Sequence, residues 1–340
     1  MARPIKRGAI PFRGRATDQH LTNMAAASVD RPLRPIRLRD QFFLGALSSS
    51  CAVVFSNPLE TAKTRMQLQG ELCVGANAGK SSRVYRNSIH ALFRIGKEEG
   101  VKGLQRGLGS AFAYQVAVNG TRLGLFEVMT PWIATSIGAV NPDGRPHAAV
   151  SAVSGAVAGA IGAFVSSPIY LVKVRLQSAS DAVSVGLTQH RYAGLCHGLA
   201  SVVRQSGWRA LWTGAVAQIS RVAVVSVAQL GVFSSAKSFF IKRFGVSKGM
   251  SSDVLASCVS GALATVAMSP VDLVATRLCN NNSGVVYKGM LDCVAKTVRA
   301  EGFLGLYKGV TATYFRLAPH ATLTFVFWGV FKRAYDDYRQ

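Results

Sequence analysis

The sequence predicts an all-α membrane protein: six transmembrane helices in three tandem repeats with pseudo-threefold symmetry, plus short amphipathic helices. Three observations carry this prediction. A proline-led block, "PLETAKTRMQ" at Pro58, returns as "PIYLVKVRLQ" at Pro168 and "PVDLVATRLC" at Pro270. A second block follows each copy with constant internal spacing. The chain is 49% hydrophobic yet carries a formal charge of +23. A soluble nucleic-acid binder with that charge is poorer in apolar residues, so nucleic acid is not an expected partner.

Repeats are the first thing to establish, because missing them misreads the fold. The second block opens at Tyr85, Tyr192 and Tyr287. Glu99-Gly100, Ser206-Gly207 and Glu301-Gly302 begin 14 residues later, and Gly107, Gly214 and Gly309 close it 22 residues after the tyrosine. Only the stretch between the proline block and the tyrosine varies in length, which marks it as a loop.

Residues 1–40 form a basic extension with eight Arg, one Lys and three Asp. That is the composition of a mitochondrial targeting segment, or of a disordered arm without an address. Repeats follow over 41–140, 147–246 and 250–340. Each reads as a long helix kinked by its proline, the loop, a short amphipathic helix, and a second long helix starting at the closing glycine. Gly155, Gly159 and Gly261 precede the prolines at spacings that permit close helix contact. No uninterrupted run of about 20 apolar residues occurs. Single polar residues dot the long helices instead, as suits one face to lipid and one to a wet interior. Six helices put both termini on one side.

The six cysteines show no paired spacing, and His190, Cys196 and His197 lack a second ligand pair. No metal or cofactor is expected. No nucleophile–base pair or glycine-rich phosphate loop appears, so the chain does not read as an enzyme.

The Pro-x-acid-x-x-base-x-base-x-Gln block in triplicate, with its downstream aromatic-base-Gly block, resembles the mitochondrial carrier family over about residues 41–340. The strings "RLAPHATLTFVFW" around Arg316 and "RVAVVSVAQL" around Arg221 look like its dicarboxylate and keto-acid carriers. "NGTRLGLFE" and "TRMQLQGEL" resemble the oxaloacetate-carrier-like subgroup with members 34 and 35 of solute carrier family 25. The Arg-Arg-Arg-Met-Met-Met run of nucleotide exchangers is absent. The resemblance implies a monomer in the mitochondrial inner membrane, with both termini on the intermembrane-space side and the short helices in the matrix. From residue 63 to 106 there are nine bases against three acids, the bias of a loop that stays inside.

At 100° per residue, positions +2, +5 and +9 from each proline share a sector of about 60°. Glu60, Lys63 and Gln67 thus lie on one face, and Arg65 at +7 points elsewhere. Arg65, Arg175 and Arg277 read as anchors whose heads reach the lipid headgroups. The resemblance implies a matrix gate in which Glu60 pairs with Lys173 and Asp272 with Lys63, braced by Gln67 and Gln177. Tyr170 and Ala275 take the third pair's places, so no unpaired charge is left there; Cys279 takes the third brace's. Solvent-accessible pairs of this kind are worth roughly 0–1 kcal/mol each. A cytoplasmic gate resembling the family's aromatic-acid-x-x-base motif is eroded, leaving only Glu127 with Lys237.

Residues that contact an asymmetric substrate need not recur in every copy. Seven after the closing glycine stand Tyr114, Arg221 and Arg316; fifteen after stands Arg122. A charge at bilayer depth costs roughly 2.5–3.5 kcal/mol, so these arginines need water, a counter-ion or an anionic ligand. Guanidinium matches carboxylate by its bidentate fork. Arg221 and Arg316, at equal height, suit the two ends of a small dianion. Arg122 lies about 12 Å further along its helix, and Tyr114 adds a hydroxyl.

Helix N-termini favour phosphate. The resemblance implies cardiolipin at Arg106-Gly107, at Lys308-Gly309, and at Gly194 and Gly289 before the short helices. The reading is a transporter of small dicarboxylate or keto-acid anions by alternating access. The alternatives are an anion or proton leak, and a carrier-fold receptor or scaffold.

Overall fold

A computed structural model describes residues 38–72, 84–139, 146–181, 186–225, 238–239, 250–281 and 286–338. In chain order the helices are α1 (Leu38–Leu68), α2 (Ser88–Leu104), α3 (Leu108–Ser136), α4 (Ala148–Ser178) and α5 (Leu195–Ser206). They continue as α6 (215–225), α7 (Met250–Asn280), α8 (Met290–Glu301) and α9 (Val310–Tyr338). Short 3₁₀ turns at Trp208–Trp212 and Phe303–Tyr307 join the amphipathic helices to the next long one. By length and composition, Ala149–Ser178 and Val259–Asn280 are apolar enough to cross a membrane.

Pro58, Pro168 and Pro270 lie inside α1, α4 and α7. A proline removes one helical donor, and at Pro58 the orphaned Val54 carbonyl accepts from Gln105 Nε2 at 2.9 Å. The α2 end is tied to the same turn of α1: Asn57 and Thr61 donate to the Leu104 carbonyl.

The constant spacings have a backbone cause. Gly100, Gly207 and Gly302 have φ of 65°, 79° and 76°, and the closing Gly107, Gly214 and Gly309 have 75°, 86° and 83°. Only glycine adopts this region without strain. The closing glycines also sit tightly against a neighbouring repeat. A Cβ on Gly107 would lie 3.1 Å from Gln177 Cγ, one on Gly309 3.1 Å from Gln67 Cγ, and one on Gly214 2.9 Å from Cys279 Sγ. The +9 residues of the proline blocks are thus the surfaces against which the second helices start.

Each short helix buries a narrow face on its own repeat. Ala91 and Ile95 meet Ala62 and Met66. Val202 packs in the cluster of Leu171 and Val172. Cys293 packs with Leu273 and Val274. Phe93, Leu291 and Leu304 point outward at 76, 84 and 81% exposure.

The +7 arginines overturn their reading as headgroup anchors. Arg65, Arg175 and Arg277 are 0, 3 and 0% exposed. Each donates Nε to the carbonyl of the +9 residue in another repeat: Arg65 to Gln177 (3.2 Å), Arg175 to Cys279 (2.9 Å) and Arg277 to Gln67 (3.4 Å). The three bonds close a ring around the proline ends. Glu99 clamps Arg65 at 2.6 and 2.9 Å, and Glu301 holds Arg277 at 2.8 Å. In the second repeat Ser206 stands where those acids are, and Arg175 uses the Tyr192 hydroxyl at 3.1 Å. A guanidinium with a carboxylate and two carbonyls satisfies its fork inside the protein, so it has no reason to seek lipid.

Burial would raise the Glu99 carboxyl, but hydrogen bonds from Arg65 and Ser180 outweigh it and hold the group below its ordinary value. Glu301 is lowered likewise: Arg277 and Lys308 outweigh its burial. A depressed carboxyl stabilises the fold above the ordinary carboxylate range and stops doing so as pH falls through its folded value. Glu99→Gln strands a buried guanidinium and should cost about 3 kcal/mol, seen as a lower unfolding temperature in detergent. Glu98→Gln breaks only the exposed pair with Arg94 and should cost well under about 1 kcal/mol. Equal losses in the two variants would rule out the buried staple.

Candidate functional site

The inward-facing residues of the proline blocks meet across repeats. Lys63 Nζ lies 2.5 Å from Asp272 Oδ2, and Lys173 Nζ 2.8 Å from Glu60 Oε1. The side chains of Lys63 and Asp272 are 5 and 0% exposed, and those of Lys173 and Glu60 are 4 and 12%. The expectation of solvent-accessible pairs is corrected here: these are buried ions, for which losing one partner is far more costly than a surface value. Gln67 donates to Asp272 Oδ2 at 2.9 Å and accepts from Thr276. Gln177 departs from the brace expected of it. It donates to Asn57 Oδ1 at 3.0 Å and accepts from Thr64.

At the third boundary Tyr170 and Ala275 are buried and uncharged. Tyr170 packs against Tyr114 with ring centroids 5.3 Å apart and the planes tilted by 54°, and the Tyr114 ring faces Lys173 Nζ at 4.8 Å. Aromatic faces attract cations, so this boundary offers π surface where the other two offer carboxylates. Cys279 contributes only a weak thiol bond to the Thr213 carbonyl.

The arginines seven residues past the closing glycines reach down to the same charges. Arg221 on α6 donates to Asp272 Oδ1 at 3.2 Å and to the Tyr114 hydroxyl at 3.1 Å, and lies 5.3 Å from the Tyr170 ring. Arg316 on α9 approaches Glu60 Oε1 at 3.5 Å. Its Nε is buried without a hydrogen-bond partner among the described residues. The acids that answer these arginines lie 51 and 256 residues away in the chain, at Asp272 and Glu60. Each of these two carboxylates therefore serves two cations, one lysine and one arginine.

Arg122 does not join this cluster. It is exposed on α3, beside Gly159 and Gly162 of α4, with no ion pair among the described residues. Glu127 is exposed on the same helix, and its expected partner Lys237 lies outside the described residues. Arg106 and Lys308 are occupied by protein carboxylates: Arg106 by Asp181 (3.1 Å) and Glu99 (3.4 Å), Lys308 by Glu301 (2.5 Å). Gly194 and Gly289 cap α5 and α8 in extended conformation, with space around each α-carbon.

One polar knot was not foreseen. Glu71, just past α1, is 2% exposed. It accepts from Tyr287 and Asn281 at 2.8 Å each and from the Leu187 amide at 3.4 Å. Burial raises its carboxyl above the ordinary value. The knot ties all three repeats together beyond the end of α1. Its only sequence signal was a lone acid in a variable loop.

A sequence model described as "Mitochondrial carrier protein" matches this chain three times, over residues 35–136, 144–244 and 247–339. Solute carrier family 25 member 35 of Mus musculus is 41% identical over 306 residues, covering 87% of this chain and 99% of that one. The mitochondrial oxaloacetate transport protein of Saccharomyces cerevisiae is 40% identical over 291 residues, covering 84% and 86%. The mitochondrial citrate transporter E of Aspergillus niger is 38% identical, covering 83% and 89%. With three matched repeats closed by a ring of cross-repeat arginines, the chain belongs to the mitochondrial carrier family, whose members are transporters rather than enzymes.

Proposed function

We propose that this protein carries small dicarboxylate or keto-acid anions, oxaloacetate among them, across the mitochondrial inner membrane. The observation that carries the proposal is the charge sum at the gate. Lys63, Lys173, Arg221 and Arg316 converge on Glu60 and Asp272 from α1, α4, α6, α7 and α9. Four cations against two carboxylates leave two positive charges. Two uncompensated charges are costly away from water, and a dianion supplies what is missing. Two of the relatives are named for carboxylates, oxaloacetate and citrate, in keeping with this.

The mechanism follows from shared partners. The two arginine contacts to the gate acids are single and long, at 3.2 and 3.5 Å. A substrate carboxylate that engages a guanidinium with both oxygens binds it more strongly. A dicarboxylate taking Arg221 and Arg316 would therefore draw them away from Asp272 and Glu60. Each acid then keeps only its lysine, and the closed end is weakened by the binding event itself. That is alternating access at a central site, with the proline-end gate shut in this conformation. The rest of the reading is six spans, both termini on the intermembrane-space side, a monomer, and cardiolipin at the short helices. Arg122 serves as an outer capture point in this scheme, and Glu127 with Lys237 as the lighter far gate.

Purified protein in liposomes, loaded in turn with oxaloacetate, malate, malonate, sulfate and oxoglutarate, tests the class. Saturable exchange of the dianions supports it; a non-saturable proton or anion leak, or no flux at all, refutes it. Arg221→Ala and Arg316→Ala should each reduce uptake at least about thirtyfold while leaving the protein inserted. Normal uptake in either variant removes that residue from the site. The charge sum gives a sharper check. Glu60→Gln raises the net charge by one and Lys173→Gln lowers it by one, whereas the double variant restores it. Uptake in the double variant should exceed that of both single variants; a double variant worse than either would contradict the charge balance.

A further inference from the structure

We propose that Glu71 is the bolt of a second latch at the proline end, one that holds that end shut alongside the charged gate and must release before it opens. The proposal rests on the alternating-access reading above and adds to it a closure made without an ion pair.

Glu71 is 2% exposed, and its three donors are neutral. The Tyr287 hydroxyl and the Asn281 amide of the third repeat reach Oε1 at 2.8 Å each, and the Leu187 backbone N–H of the second reaches Oε2 at 3.4 Å. Arg277, whose charge is felt here, is held by Glu301 instead. Donors thus converge on both oxygens. A carboxylate answers them because it accepts at each oxygen and carries no hydrogen of its own. An amide in its place would turn an N–H toward a donor.

The seat that receives Glu71 is a joined surface. Ser178 Oγ donates to Asn280 Oδ1 at 2.7 Å, and Thr188 Oγ1 to Asn281 Oδ1 at 2.9 Å. Asn280 Nδ2 donates to the Thr188 carbonyl at 3.2 Å, and His190 Nε2 lies 2.7 Å from the Asn280 carbonyl oxygen. These bonds fasten the second repeat's loop to the end of α7. Gly186, at φ 79°, lets that loop lie against α1: a Cβ there would be 3.4 Å from Leu68 Cβ and 3.5 Å from Glu71 Oε2. The same two repeats meet at the uncharged places of Tyr170 and Ala275. The first repeat docks Glu71 into the seat they share.

A catch differs from a staple in what its release returns. A carboxylate buried without an opposite charge gives up hydration, and the hydrogen bonds it accepts offset that loss only while they are made. Parting the repeats removes the donors and restores water to the carboxylate, so the two effects oppose each other. That balance suits a contact broken in every cycle. The Arg65–Glu99 pair lies within the first repeat and need never part. Taking the Glu71 carboxylate away strands the donors of the seat, and it does so only while the end is shut.

The test reads closure directly, on the full chain in detergent. Thr276 stands at the seam between the first and third repeats, bonded to Gln67 and 1% exposed. Thr276→Cys places a thiol there that a water-soluble maleimide reaches when the seam parts. Cys293, 0% exposed beneath α8, reports loosened folding. On that background Glu71→Ala should speed labelling at position 276 at least about tenfold, the effect of one stranded buried donor, and leave Cys293 unchanged. Unchanged labelling at position 276 overturns the proposal, and so does an equal rise at Cys293. If Glu71→Ala does not insert, Tyr287→Phe removes one donor and keeps the ring. It should speed labelling at position 276 in the same sense, and no change there overturns the proposal equally. Malonate exchange by the wild-type protein in liposomes decides the carrier reading separately. Exchange that is absent or does not saturate overturns that reading, while the labelling comparison still decides the latch.

Discussion

Positive charge removed from water must be answered by something, and this requirement shapes the molecule at two levels. At the proline ends, three arginines are answered by the protein itself, through carbonyls of another repeat and, in two repeats, a glutamate. Beside them, four cations share two carboxylates and are only partly answered. The first level holds the helices together. The second leaves the site with a demand for anions. Both use guanidinium groups, and the supply of protein partners is what separates them.

Much of this was legible in the sequence because the repeat is a physical constraint. A glycine that must take positive φ, or lie against a neighbouring side chain, recurs at fixed spacing, and so Gly100, Gly107 and their counterparts marked the joints. One helical face and three copies brought Glu60 and Lys63 to the inner surface, and the family resemblance supplied their partners, Lys173 and Asp272. What stayed hidden was contact between repeats. The positions of Arg65, Arg175 and Arg277 off the inner face suggested lipid, because the carbonyls that bind them lie more than a hundred residues away. Arg106 and Lys308 read as phosphate ligands although Glu99 and Glu301 stand seven residues before them; spacing alone did not show that these acids turn back onto them past the glycine joint. Arg221 and Arg316 stood out in the sequence as residues that break symmetry, but the acids beside them, Asp272 and Glu60, did not.

The residues absent from the pattern carry information of their own. Ser206 stands where Glu99 and Glu301 stand, and Arg175 substitutes a phenol for the acid. Gln67 and Cys279 hold equivalent places, yet only the glutamine reaches a gate carboxylate. Each departure involves the boundary between the second and third repeats. The threefold inheritance is therefore chemically a two-plus-one arrangement.

Tyr170 and Ala275 give that arrangement a mechanical meaning. Along two seams the helices are joined by opposite charges that a visiting carboxylate can compete for. Along the third the corresponding places hold the phenol of Tyr170, packed on Tyr114, and the methyl group of Ala275, neither of which a carboxylate competes for. Under the proposed anion transport, the two charged edges are the ones a cargo carboxylate competes for, so motion would begin there, with the uncharged edge as the fulcrum.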